Sequence, residues 1–227
     1  MKRRRSERPA PPRLPPDLPL EQNLRLRAGS EVNGVTIQGT FTDAHLEGLS
    51  LEDVHVVNSS FLAADLHRLR LVDVLVEGSD FSGADMEEAS FTRVIFKNCR
   101  MSGAVMLRGQ LRDVCLDEVR LDHVNLRRST GERVVFDHVN LEGGDLHAAH
   151  FMTTCFFDCN LIGADVSESK LPGARFHGSD LLELKGGEYL RDIVIDSAQV
   201  LPLAHRVFAG LNIRVDDDRE ANGTEQA

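Results

Sequence analysis

The stretch "DFSGADMEEASF", residues 80 to 91, puts large apolar side chains at Phe81, Met86 and Phe91. A spacing of five belongs to neither ordinary repeat, because a helix returns a face every 3.6 residues and a strand every second residue. The register extends in both directions. Read from Phe41 through Leu181, every fifth residue gives 29 positions that hold 13 Leu, 9 Phe, 3 Met, 3 Val and one Gly, at Gly131. Two residues before each large one, the side chain is mostly small or β-branched: Ala44, Val54, Ser59, Ala64, Val74, Ser79 and onward. The three remaining places carry nearly all the charge, with Gly frequent two after the large residue. They face water.

No insertion shifts this register over 141 residues. Such regularity marks a stacked array in which each unit touches only its neighbours. A longer period fixes the shape of the unit, since Ala44, Ala64, Ala84 and Ala104 form one column and Val54, Val74, Val94, Val114 and Val134 another. Four five-residue steps therefore make one square coil. With coils stacked at about 4.8 Å, the repeat region makes roughly seven coils and a rod about 34 Å long. A square this narrow is filled by one large side chain per side only if the second inward side chain stays small.

"GADMEEASF", "AADLHRLRL", "VNLEGGDL", "CNLIGADV" and "SDLLEL" carry the pattern Ala, Asp or Asn, Leu or Phe, then two variable residues. On these residues the chain resembles the pentapeptide-repeat family over about residues 36 to 184. The resemblance implies an all-β fold, a right-handed quadrilateral β-helix. Some members of the resembled family imitate DNA and bind DNA gyrase.

The flanks leave the period of five. Residues 1–20 read as a disordered, basic, Pro-rich arm, residues 21–184 as the β-helix, 185–215 as a C-terminal cap with a helix, and 216–227 as an acidic disordered tail. In "YLRDIVIDSAQVLPLAHRVFAGLNIRV", Asp196 and Gln199 fit a capping box, and Leu203, Val207 and Phe208 share a helical face. Pro202 either kinks that helix or starts it. The stripe with Leu203, Val207 and Phe208 closes the last coil or also pairs two copies, as in gyrase-binding members of the resembled family. Gly131 leaves a hole in the core column, and a local bend is expected there.

Composition excludes several classes. No apolar run approaches the length of a membrane span. Four Cys in 227 residues do not make a disulfide scaffold. The basic opening is followed by prolines and charges where a secretory segment needs an apolar run, so a cytoplasmic protein is expected. Cys115 and Cys155 share a column two coils apart, about 10 Å, beyond disulfide reach. Asp145, His147 and His150 in "DLHAAH" include metal-ligand types, but the two histidines belong to different sides of the square. No catalytic grouping, cofactor motif or phosphate loop emerges, and neither enzyme activity nor a cofactor or metal is expected.

Function is therefore sought on the outer surface. Formal charge there is banded: −9 from Phe41 to Glu88, +4 from Ala89 to Arg133, −5 from Val134 to Leu181. The first band contains the candidate acidic surface Asp65, Asp85, Glu87 and Glu88, with Arg108, Arg127 and Arg128 further along the same sides. Duplex DNA carries one charge per about 1.7 Å of axis. A net charge of −10 over about 34 Å gives roughly half that density. The gyrase-directed DNA mimic is therefore the alternative function, and a module that binds another protein the leading one. The latter has its own feature, an apolar outward column of Leu75, Ile95, Cys115, Val135 and Cys155, ended by His55 and Arg175. Three accounts of this column stand open: self-stacking of a solvated sheet, cover by the arm's Leu18, Leu20, Leu24 and Leu26, or a protein interface. The arm's net charge of +4 over residues 1–20 suits weak contact with nucleic acid or with the rod itself.

Overall fold

The structure, a computed structural model, describes residues 8–22 and 24–213. Residues 1–7 of the expected arm and the tail expected over 216–227 lie outside the described residues. The chain winds as a parallel β-solenoid of about seven turns with one short helix near its C-terminal end. Short strands β1 (Leu20–Glu21), β2 (Glu31–Asn33) and β3 (Thr36–Ile37) begin it. Six eight-residue strands follow: β4 (Ser50–Val57), β5 (Arg70–Glu77), β6 (Ser90–Lys97), β7 (Gln110–Asp117), β8 (Thr130–Asp137) and β9 (His150–Phe157). Each pairs with the next twenty residues on, Leu71 with Phe91 and Phe91 with Leu111.

Only two sides of the square are continuous strand. Each eight-residue strand turns a corner at its fourth residue, where Asp53, Asp73, Arg93, Asp113, Arg133 and Thr153 all have positive φ. The other two sides are joined by turns and held to their neighbours through single bridges such as Asp80↔Arg100 and Asp85↔Val105. In these turns the amide of Ala84 donates to the carbonyl of Phe81 at 3.0 Å, and that of Ala89 to Met86 at 3.0 Å. A left-handed residue such as Gly83 (φ 64°) sits third in the turn, as type II geometry requires. One left-handed corner every five residues is thus the backbone event behind the period of five.

Phe81 and Met101 occupy adjacent storeys of one wall, with the Phe81 amide donating to Arg100 O at 2.7 Å. Phenylalanines stack at the coil spacing: Phe61 on Phe81 and Phe136 on Phe156 each lie 4.8 Å apart between ring centroids. The smaller inward side chains Ala84, Val94 and Ala104 are fully buried between them. At Gly131 the pairing runs through unshifted, Leu111↔Gly131↔Phe151. A Cβ on Gly131 would lie 2.0 Å from Cδ1 of Phe151. The expected hole is therefore filled by the ring from the next coil.

Helix α1 (Val200–Gly210) follows a 3-10 turn over Ser197–Gln199. Asp196 and Gln199 form the capping box read from the sequence. Pro202 lies in the first turn, where its missing N–H has no intrahelical partner to lose. The helix begins two residues before it, at Val200.

Candidate interaction surfaces

The outward column Leu75, Ile95, Cys115 and Val135 stacks rung on rung at one Cα register, and Cys155 continues it. All five side chains are half-buried. The arm leucines do not lie over this column as one stripe. Leu20 is itself a rung, placed on Thr36, which pairs with His55 and through it with Leu75. Leu24 and Leu26 pack against the core, while Leu20 is 52% exposed. His55 closes the column with a 2.8 Å contact from Nε2 to Glu77.

The acidic candidates divide. Asp65 and Asp85 are bridged neighbours in a column that continues through Val105 and Asn125 to Asp145 and Asp165. Each carboxylate accepts from a backbone amide two residues on, His67 N to Asp65 at 3.3 Å and Glu87 N to Asp85 at 3.0 Å. Asn125, Asn140 and Asp180 make the same bond, so Asp or Asn at this place of the repeat holds the following turn. Glu87 and Glu88 both meet the Arg108 guanidinium from the next coil. The rod's charges are laced across coils elsewhere, with Asp80 and Arg100 at 3.2 Å and Glu132 and Arg112 at 3.2 Å. The first acidic band is therefore partly neutralised in place.

Of the expected cap or dimer residues, Leu203 is buried and Val207 packs against the core, while Phe208 remains 38% exposed. Val200, Leu201, Ala204, Phe208 and Leu211 span roughly 100° of arc beside the packed edge. Of these, Val200, Leu201 and Leu211 are exposed, Leu201 to 72%. Gln199, 4% exposed, donates from Nε2 to the carbonyls of Phe176 and Ser179, the latter at 2.7 Å. The Ser179 carbonyl gains its donor there, while that of Phe176 also accepts the Ser179 amide at 3.1 Å.

The candidate metal group Asp145, His147 and His150 does not converge. Asp145 meets Arg127 at 3.0 Å, and His147 lies 3.7 Å from Glu168. No cysteine is in a disulfide. Burial pushes the thiols of Cys99 and Cys115 up to about 11 and that of Cys159 to about 12, which keeps them protonated at neutral pH. An open depression of about 400 Å³ lies beside Gly131, lined by Gln110, Arg112, Thr130, Glu132, His150 and Met152 among others.

The sequence reading missed one constellation. Along the strand corner, Arg93 grips Asp73 with Nε at 2.6 Å from Oδ1, and a second nitrogen reaches Oδ2. Arg133 grips Asp113 likewise at 2.6 and 2.9 Å. The two Asp side chains are only 9% and 11% exposed. The guanidinium partners hold both carboxyls below the usual carboxylate range, despite burial. The arm arrives here: the Arg13 amide donates to Asp73 Oδ1 at 3.0 Å and the Ala10 amide to Asp113 Oδ1 at 3.1 Å. Over its described part, the stretch expected to be disordered runs along the rod. The signal was present as Asp73, Arg93, Asp113 and Arg133 alternating at intervals of twenty.

The geometry defines a parallel β-solenoid built from five-residue steps. Residues 70–106, 115–151 and 156–183 match the family model described as pentapeptide repeats, in eight copies. The chain belongs to the pentapeptide-repeat family. Among solved structures it is similar to HetL, a pentapeptide repeat protein involved in heterocyst differentiation regulation from the cyanobacterium Nostoc sp. strain PCC 7120. That match has 19% identity, covers 77% of this chain and 85% of the other, and has a TM-score of 0.37. Full-length QnrB1, a plasmid-mediated fluoroquinolone resistance protein, is 18% identical, with 83% and 94% coverage and a TM-score of 0.42. At these levels neither likeness says what this chain binds. No curated protein matches the chain. Among the described residues, no helix is long and apolar enough to cross a membrane.

Proposed function

We propose that the protein is a non-catalytic interaction module that pairs with a second copy through α1 and presents its outer faces to a protein partner. The exposed face of Val200, Leu201, Phe208 and Leu211, set beside the packed Leu203 and Val207, carries this reading. Half of one apolar stripe closes the rod, and the other half stands in water at the rod's end. A second copy of the same helix satisfies it with a self-complementary, two-fold contact. Light scattering of the native chain should give twice its 25.2 kDa mass. The Leu201→Lys, Phe208→Lys double variant should give the single mass with an unchanged melting transition. A native chain of single mass at all concentrations would refute the pairing.

The column Leu75, Ile95 and Val135 is the proposed face for a different protein, since stacked apolar rungs offer a ready surface for a covering segment. Ile95→Lys with Val135→Lys should abolish capture of that partner, and capture unchanged by the charges would remove the face from the account. The module's four unbridged thiols suit a reducing compartment such as the cytoplasm.

The gyrase-directed DNA mimic has one observation in its favour, the stacked carboxylates of Asp65 and Asp85 with Asp145 and Asp165 in the same column. Val105 and Asn125 interrupt it, and Arg108 occupies Glu87 and Glu88. A supercoiling assay with purified gyrase separates the readings. No inhibition and no protection from quinolone at high excess is the outcome the interaction-module reading expects.

A further inference from the structure

The corner that receives the arm is built as a receptor rather than as a chance contact. Asp73 and Asp113 are two coils apart, about 9.6 Å at the coil spacing. Their partners on the arm, the amides of Ala10 and Arg13, are three residues apart. Three residues of polyproline II rise about 9.3 Å, whereas three of α-helix rise only about 4.5 Å. An extended proline-rich segment is thus in register with every second coil. Between the two donors stand Pro11 and Pro12, which have no N–H, opposite the intervening storey, where Arg93 offers no acceptor. Donors and acceptors therefore alternate on the same beat along both partners.

The carboxylates are also set in advance. Each is gripped on both oxygens by the arginine of the next coil. The grip belongs to the rod alone and leaves lone-pair capacity for one further N–H. Pro9, Ala10, Pro12 and Leu14 are half-buried along the corner, while Pro11, Arg13 and Pro15 point outward.

We propose that this corner is a binding site for an extended, proline-rich peptide segment with amide donors three residues apart, and that residues 9–13 are its resident occupant, exchangeable for a segment of the same spacing on another chain. The specificity rests on N–H positions rather than on aromatic pockets, the usual recognition device for such segments. The site is separate from the α1 face and does not depend on it.

The test uses the full chain. Ala10→Pro with Arg13→Pro removes both donors from the arm, keeps its extended habit and leaves the rod untouched. The probe is the labelled peptide RPAPPRLPPDL, residues 8 to 18, followed by fluorescence anisotropy. The arm variant should bind it, and the native chain should bind at least about tenfold more weakly, because its tethered arm competes at high effective concentration. A peptide carrying proline at both donor positions should not bind the arm variant. Adding Asp73→Asn and Asp113→Asn to the arm variant should weaken binding of the unaltered peptide by a similar factor. The proposal is overturned if an arm variant that melts like the native chain fails to bind the peptide. It is equally overturned if the proline-substituted peptide binds as well, or if native and arm-variant chains bind alike.

Discussion

At the N-terminal end the rod is finished with backbone. β1 lies on β3, with the Thr36 amide on Pro19 O at 2.8 Å, and the chain before it runs along the corner to Asp73 and Asp113. At the C-terminal end the last backbone rung is Val194, bridged to Arg175, and side chains complete the closure. Gln199 donates to the carbonyls of Phe176 and Ser179, Leu203 is buried, and α1 is left with an apolar face in water. Each coil donates both ways, Leu66 N to Asp85 O and Asp85 N to Ala64 O, so either end of the solenoid exposes unpaired amides and carbonyls along with a cut slice of core. A strand laid on top can pair both. A helix answers them only in part, since its own backbone groups are already paired within it. The C-terminal end, where side chains complete the closure, is accordingly the one more sensitive to side-chain substitution.

Leu203→Ala breaks the comparison most severely. It should destabilise the chain by about 3 kcal/mol in denaturant unfolding, as for a buried leucine. Gly131→Leu restores the residue type of its column, yet should destabilise by roughly 2 kcal/mol, because the space belongs to Phe151. That loss should be relieved by Phe151→Ala in the same chain. A stabilising Gly131→Leu would mean that the hole is real.

The arm gives a pH prediction. Asp73 and Asp113 have carboxyls lowered from 3.8 by their arginines and by the arm amides. A lowered value in the folded chain means that the contact is fully present above the ordinary carboxylate value and is lost as pH falls through the folded one. The Ala10 and Arg13 amide signals should stay constant from neutral pH down to the usual carboxylate range and move only in stronger acid. A midpoint near neutral would assign the contact to other groups. Leu20→Ala has the smallest expected effect, under about 0.5 kcal/mol, because that rung is half in solvent and its end is held by backbone.

The coil itself was legible because each storey repeats the same demand. A large side chain, a small one and a left-handed corner recur every five residues, and a register error at Phe81 would displace Met101 as well. The capping box at Asp196 was legible for a similar reason, being a local pattern with a fixed spacing. The filling at Gly131 was not, because it depends on which ring of the next coil is long enough to reach across. Nor was the division of the α1 stripe, since periodicity gives the width of an apolar face and not how much of it the rod covers. The path of the arm over residues 8–20 was not legible from composition. Its prolines and charges look like a solvated tail until the two-coil spacing of Asp73 and Asp113 is set against the rise of an extended chain.

Hydrogen–deuterium exchange at two protein concentrations tests the contrast between the ends most directly. Amides of 200–211 should gain protection as concentration rises, while those of 18–37 should exchange at the same rate at both. Equal behaviour at the two ends, or protection gained only over 18–37, would contradict the account.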